Sequence, residues 1–204
     1  MKILFLIVSL LLILSCNSQD KRPLVGKTEY QQKLNASYKD ASKSPLKKKD
    51  LKDFKGLDFF PVDSSFIVTA QLTKTENAPT FKMATTTDRQ PLYKEYGVLN
   101  FTLKGKALQL TIYQSQDDLR DEKYKDYLFL PFTDDTSGNE SYGGGRYMDV
   151  MTTDINDNQT ITLNFNNTYN PYCAYNDKYS CPLTPRKNHL DIEIKAGVKA
   201  FTKH

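Results

Sequence analysis

The stretch Leu99-Asn100-Phe101-Thr102-Leu103-Lys104-Gly105-Lys106-Ala107-Leu108-Gln109-Leu110-Thr111-Ile112 decides the fold. Leu99, Phe101 and Leu103 fall two apart, as do Leu108, Leu110 and Ile112. Such alternation puts each set on one face of a strand. Lys104-Gly105-Lys106 between them supplies a turn, so the stretch reads as a β-hairpin. The same period recurs on both sides. Phe66, Val68, Ala70 and Leu72 predict a half-buried strand, and Phe81, Met83 and Thr85 a weaker one. Tyr127 to Phe132, the set Ile161, Leu163 and Phe165, and the set Leu190, Ile192 and Ile194 predict three more. With no helical pattern after residue 60, the expected fold is mainly β: an antiparallel sandwich or partly closed barrel.

Upstream, Tyr30, Leu34 and Tyr38 lie four apart and predict a short helix within 27–41 that packs by that stripe. Ser44-Pro45 reads as an N-cap and first helical position, opening a second short helix that carries Leu46, Leu51 and Phe54. One or two short N-terminal helices therefore precede the β domain, and a single hydrophobic core is expected. Composition agrees: 204 residues, 39% hydrophobic and 25% charged, is ordinary for one globular domain. It excludes a coiled coil, a collagen-like chain and a multi-spanning membrane protein.

The first residues read as an export signal. Lys2 is followed by the apolar run 3–14, too short to span a bilayer, which needs about 20 apolar residues. Ile13-Leu14-Ser15-Cys16 resembles a bacterial lipobox: a bulky residue, a tolerant one, a small one, then the cysteine that is acylated. The reading divides the chain into a lipoprotein signal peptide over 1–15, a flexible tether over 16–27 and a single β-rich domain over 28–204. The expected location is the bacterial cell envelope, periplasmic or surface-exposed, with the membrane as a partner through lipidated Cys16. A formal charge of +4 is not a nucleic-acid signature, so no nucleic-acid partner is expected. Lys43, Lys47, Lys48, Lys49, Lys52 and Lys55 read as a solvated face, with contact to anionic lipid or polysaccharide as the alternative.

Two stretches in the C-terminal half carry the remaining signal. One holds Asp135-Thr136-Ser137-Gly138 and Tyr142-Gly143-Gly144-Gly145-Arg146-Tyr147. The other holds Phe165-Asn166, Tyr169-Asn170-Pro171-Tyr172-Cys173, Cys181-Pro182-Leu183-Thr184-Pro185 and Ala196-Gly197. With Phe54-Lys55-Gly56-Leu57-Asp58-Phe59-Phe60-Pro61, this set resembles domain-of-unknown-function family 1684 over about residues 28–201. The chain departs from that pattern in lacking a long N-terminal extension. It also has Asn164 where an aspartate is usual and His189 where an arginine is common. The resemblance implies one continuous fold and no particular chemistry.

Three glycines in a row expose backbone amides, and Arg146 beside them offers a fork for a carboxylate or phosphate. Gly143, Gly144, Gly145 and Arg146, with Glu140, Asp149, Asn166 and Asn170, are thus the candidate ligand-binding residues. The opposing reading makes the glycines a bend and pairs Arg146 internally with Asp149 or Glu140. Asn166, Asn170 and Asn188 read first as backbone caps. Tyr142, Tyr147, Tyr169, Tyr172 and Tyr175 offer apolar faces either to a ligand or to packing. The mixture suits a sugar or an acidic small molecule.

Cys173 and Cys181 most simply form a disulfide in an exported protein. A zinc site would need two further ligands, with His189 and acids as the available donors, so no metal or cofactor is expected. Catalytic residues are not assigned. A hydrolase using carboxylates from Asp134, Asp135, Glu140 and Asp149 is the enzymatic alternative. A structural or assembly lipoprotein without a small-molecule site is the other.

Overall fold

The computed structural model describes residues 26–202. The expected signal peptide, Cys16 and most of the expected tether lie outside the described residues.

The hairpin of residues 99–112 forms as its alternation dictates. Strands Leu92–Leu103 and Lys106–Ser115 pair antiparallel, with Leu99 opposite Leu110 and Phe101 opposite Leu108. Lys104 and Gly105 both take positive φ in the two-residue turn, the backbone twist that matches twisted antiparallel strands.

In chain order the strands are β1 Ile67–Lys74, β2 Phe81–Lys82, β3 Leu92–Leu103, β4 Lys106–Ser115, β5 Tyr127–Asp134, β6 Arg146–Met151, β7 Thr160–Asn164 and β8 His189–Leu190. They form one sheet in the order β6-β5-β4-β3-β1-β7, with β2 on β3 and β8 parallel to β5. The sheet curls into an antiparallel half-barrel, the partly closed of the two expected architectures. Its ends, β6 and β7, do not pair. A cleft of about 570 Å³ separates them, lined by Met148, Asp149 and Val150 on one side and Ile161, Thr162 and Asn164 on the other.

Curling encloses the expected core. Phe66, Ala70, Leu72, Leu99, Phe101, Leu103, Leu110 and Ile112 meet Leu128, Leu130 and Phe132 of β5, Ile161 and Leu163 of β7, and Phe165. The last predicted strand is shorter than its alternation implied. Only His189 and Leu190 pair, while Ile194 still reaches the core through irregular chain.

Where β4 and β5 run side by side they pair at one position, Tyr113 with Phe129. Asn188 substitutes for part of the missing ladder. Its Oδ1 accepts the Thr111 amide at 2.9 Å, and its Nδ2 donates to Thr111 O at 2.8 Å and Pro131 O at 2.7 Å. A single side-chain amide thereby satisfies three buried backbone groups.

Two further apolar clusters correct the expectation of a single core. Tyr38, Leu46, Leu57, Phe59, Tyr175 and Val198 form one, under the N-terminal helices. Met83, Tyr93, Tyr113, Phe129 and Tyr147 form the other, on the outer face of the sheet. Helix α1, Glu29–Lys39, is capped by Thr28, whose hydroxyl accepts the Gln31 amide. Its most buried side is partly polar. Gln31, Asn35 and Tyr38 are buried, and Asn35 Oδ1 accepts the Leu57 amide at 2.8 Å. Tyr30 and Leu34 instead sit half-exposed beside a cavity. Helix α2 is only Lys48–Lys52, and Ser44 caps a turn ahead of it rather than the helix, its hydroxyl accepting the Leu46 amide.

Candidate functional site

Strand β6 alternates Arg146, Met148 and Val150 into the barrel with Tyr147 and Asp149 outward. That register decides the fate of the expected anion site. Arg146 is fully buried, and its guanidinium is committed inside the protein. It donates to Asp134 Oδ2 at 2.7 Å, to Ile194 O at 2.8 Å and to Ala196 O. Phe60 and Phe132 lie over its faces at 5.7 and 5.3 Å. Burial lowers its proton affinity, against the opposing pull of Asp134. Asp134, also fully buried, accepts in addition the amide of Thr136 at 2.8 Å, its hydroxyl at 2.6 Å and the Ile194 amide at 3.2 Å. The internal partner is thus Asp134, not the Asp149 or Glu140 expected from sequence. Arg146 holds the segment 194–196 against β5 and β6 and has no fork free for a ligand.

Of the three glycines, Gly145 serves that same packing. A β-carbon on Gly145, at φ +89, would lie 2.5 Å from Phe132 O and 2.7 Å from Thr184 Oγ1. Its amide is spent on Tyr142 O at 3.0 Å. Gly143 and Gly144 are exposed on the turn. Asn166 clamps the chain at Asp63, accepting its amide at 3.0 Å and donating to its carbonyl at 2.9 Å. Asn170 is buried and donates to Lys199 O at 2.8 Å. Glu140 pairs with Lys195 at 2.8 Å, and Asp135 lies 3.7 Å from His189. The carboxylates of 134–149 are therefore dispersed: one in the core, two in separate surface pairs and one, Asp149, elsewhere.

Asp149 faces a concavity of about 670 Å³ on the outer face of the sheet. Its floor is Tyr93, Phe129, Tyr127 and Tyr147 from β3, β5 and β6. Its walls are α1 through Tyr30 and Leu34, and the segment 169–182 through Tyr169, Tyr172, Tyr179 and Cys181. That segment is tied down at both ends. Tyr169 and Tyr147 exchange backbone hydrogen bonds at 2.8 and 3.0 Å, and Thr86 N donates to Cys181 O at 2.9 Å. Asp149 Oδ1 accepts the Tyr127 hydroxyl at 2.8 Å and the Tyr169 hydroxyl; Oδ2 has no partner among the described residues. Burial, reinforced by the Asp149 carboxylate, pushes the Tyr127 and Tyr169 phenols well up, so both stay protonated donors. Lys33, Arg89, Asp117 and Asp118 stand around the cavity, with Arg89 bonded to Ser180 and Asp117 accepting the Leu92 amide.

Asp149 is thus the one candidate ligand residue from sequence that lines the cavity, with Tyr147, Tyr169 and Tyr172 among the expected rings. Tyr142 and Tyr175 belong elsewhere, Tyr175 in the second cluster. Tyr30, Tyr93, Tyr127, Arg89, Asp117 and Asp118 were not anticipated. A signal for one of them is in its strand: Tyr127 takes the outward register, opposite to the core-facing Leu128 and Leu130, and a large aromatic at an outward position marks a covered outer face. Tyr93 shares the parity of core-facing Leu99, Phe101 and Leu103, and it faces outward only because a bulge between Glu95 and Gly97 shifts the register.

Cys173 and Cys181 are not joined as expected; both are free thiols. They are nevertheless adjacent, with the Cys173 amide donating to Cys181 Sγ at 3.1 Å. Among the described residues no three His, Cys, Asp or Glu side chains cluster as metal ligands, and no helix is long and apolar enough to cross a membrane.

Fold and site together define a β half-barrel domain with an aromatic, carboxylate-bearing cavity on its outer face. The chain belongs to the family described as "Protein of unknown function (DUF1684)", whose model matches residues 52–199. It is similar to the solution NMR structure of an uncharacterised protein from Haloarcula marismortui. The two share 34% identity over 85% of this chain and 92% of that one, with a TM-score of 0.66. None of the curated proteins compared with the chain matches it.

Proposed function

We propose that this is a lipid-anchored cell-envelope protein that binds a small polyhydroxylated ligand, of the sugar class, in the tyrosine-lined cavity. The observation that carries the reading is Asp149. A carboxylate with one oxygen taken by two phenols and the other without a partner among the described residues sits at a wall of aromatic rings. Sugar rings stack their C–H faces on aromatic side chains, and their hydroxyls need a strong acceptor and fixed donors. The Asp149 oxygen is the acceptor and Arg89 the donor, while the Tyr127 and Tyr169 hydroxyls, their protons given to Asp149, offer further lone pairs. A cavity of about 670 Å³ accommodates one or two such rings. Anchoring through Cys16 would hold the cavity at the envelope, where such ligands are abundant.

The test is a thermal-shift screen with mono- and disaccharides, uronic acids, phosphates and carboxylates, confirmed by calorimetry. Tyr172→Ala and Asp149→Asn are run in parallel. Tyr172 is 42% exposed, so its removal spares the core. A sugar at 100 times its dissociation constant stabilises by about 2.7 kcal/mol. That stabilisation should vanish in both variants while their unliganded melting stays within a few degrees. Binding that survives both substitutions, or a panel with no sugar among its hits, overturns the reading.

A further inference from the structure

The loop that bears Cys173 and Cys181 is built around the two sulfurs. Residues 172–174 form a 3₁₀ turn that aims the Cys173 amide at Cys181 Sγ. Cys181 is held from the other side, its amide donating to Thr86 Oγ1 at 3.1 Å and its carbonyl accepting the Thr86 amide at 2.9 Å. The Tyr142 hydroxyl stands 3.9 Å from Cys173 Sγ. The two thiols differ in access: Cys173 is half-buried and Cys181 is 7% exposed. We propose that Cys173 and Cys181 are a thiol–disulfide exchange couple, with Cys173 the attacking thiolate and Cys181 the resolving thiol.

The chemistry needs a small organic disulfide as oxidant. Cys173 Sγ⁻ attacks one sulfur of R–S–S–R. The new S–S bond forms as the old one breaks, and RS⁻ leaves to take a proton from solvent. The Cys181 thiol then loses its proton to solvent or base, and its sulfur attacks Cys173 Sγ, expelling the second RS⁻. The protein pair is oxidised by two electrons, and the external disulfide is reduced to two thiols. The local chemistry assigns the roles. Hydrogen bonds from the Cys181 thiol, the Tyr142 hydroxyl and the Thr86 hydroxyl outweigh burial and hold the Cys173 thiol down to about 7, against 9 for an ordinary thiol. The hydrogen bond to the Cys173 sulfur and burial push Cys181 up, outweighing the Cys173 amide, which favours its thiolate. A low-lying, accessible thiolate beside a protonated, covered partner is the division of labour that exchange requires. The loop between them carries Tyr179 and Ser180 of the cavity wall, so oxidation would staple that wall. The exchange itself does not depend on a ligand in the cavity.

The experiment treats the full chain with oxidised glutathione at pH 7.5, quenches at intervals and maps each cysteine by peptide mass spectrometry, which separates Cys16 from the pair. In the wild type the internal Cys173–Cys181 disulfide should accumulate with little adduct remaining. Cys181→Ser should trap glutathione on Cys173. Cys173→Ser should leave Cys181 modified at least about ten-fold more slowly, in proportion to its smaller thiolate fraction. Iodoacetamide on the reduced wild type needs no variant to fold. It should label Cys173 first, with a rate that rises through a pH of about 7. Equal labelling of the two, adduct formed first on Cys181, or a Cys173 adduct that never resolves to the internal disulfide would overturn the assignment.

Discussion

Replacing Arg146 with methionine tests the central claim that this residue is a core fastener rather than a ligand group. Methionine keeps much of the side-chain volume and its contacts with Phe60 and Phe132, but removes the charge. The Asp134 carboxylate is then left fully buried without its cation, and the carbonyls of Ile194 and Ala196 lose their donors. Breaking a buried pair from one side costs about 3–5 kcal/mol. For a domain of this size each kcal/mol moves the melting temperature by about 2–4 °C, so Arg146→Met should melt about 6–20 °C lower. Circular dichroism melts, with urea titration at 25 °C, read this directly. The double variant Arg146→Met/Asp134→Asn separates the orphaned charge from lost packing. Asparagine can still accept from Thr136 and Ile194 but carries no charge, so the double variant should recover part of the loss. Arg146→Lys should fall between, because one ammonium cannot reach three acceptors as a planar fork does. Refutation would be an Arg146→Met protein that melts within about 2 °C of wild type, well short of what a broken buried pair costs.

Other expectations are as specific. Asn188→Leu fits the space but orphans Thr111 N, Thr111 O and Pro131 O. The cost should be at least about 3 kcal/mol by urea titration, since each of the three buried backbone groups left unpaired costs about 1–3 kcal/mol. Gly197→Ala places a β-carbon 2.0 Å from Thr168 Oγ1 at φ +78, so it should lower stability by more than the about 1–3 kcal/mol of backbone strain alone. Asp40 and Asp63 are held below the ordinary carboxylate range, chiefly by hydrogen bonds from Ser42 and Ser65 respectively. Their contribution to stability is complete above the ordinary aspartate value and is lost as pH falls through the depressed ones. Asp63→Ala should therefore flatten the fall in stability as pH drops below the ordinary aspartate value of 3.8, and an unchanged slope there would count against that account.

The strands were legible because their chemistry is local. Alternation over 99–112 marks a hairpin whatever surrounds it, and the half-barrel's interior is close to the set of alternating aliphatic and phenylalanine positions. Strand β6 was hidden for a local reason. Its first inward residue is an arginine, so Arg146, Met148 and Val150 do not read as an apolar face. The arginine is tolerated inside only because Asp134, twelve residues earlier, and the carbonyls of 194 and 196 converge on it. No pattern within a strand-length window contains that information. The same limit applies to the site. A Gly-Gly-Gly-Arg turn has the composition of an anion site, and only the register of β6 turns Arg146 inward and Asp149 outward.

The sequence by itself determined the β class, the hairpin, the short helices, the family resemblance and which side chains would be buried along most strands. These follow from a two-residue period and from turn chemistry, both of which act between near neighbours. Tertiary structure alone decided that Tyr30, Tyr93, Tyr127 and Tyr169 would share one cavity with Asp149. It also decided that two cysteines eight residues apart would stand side by side as free thiols of unequal access. Those groups come from separate elements of the chain. Their meeting depends on how far the sheet curls and where its covering segments are pinned, and such long-range closure leaves no mark on local sequence.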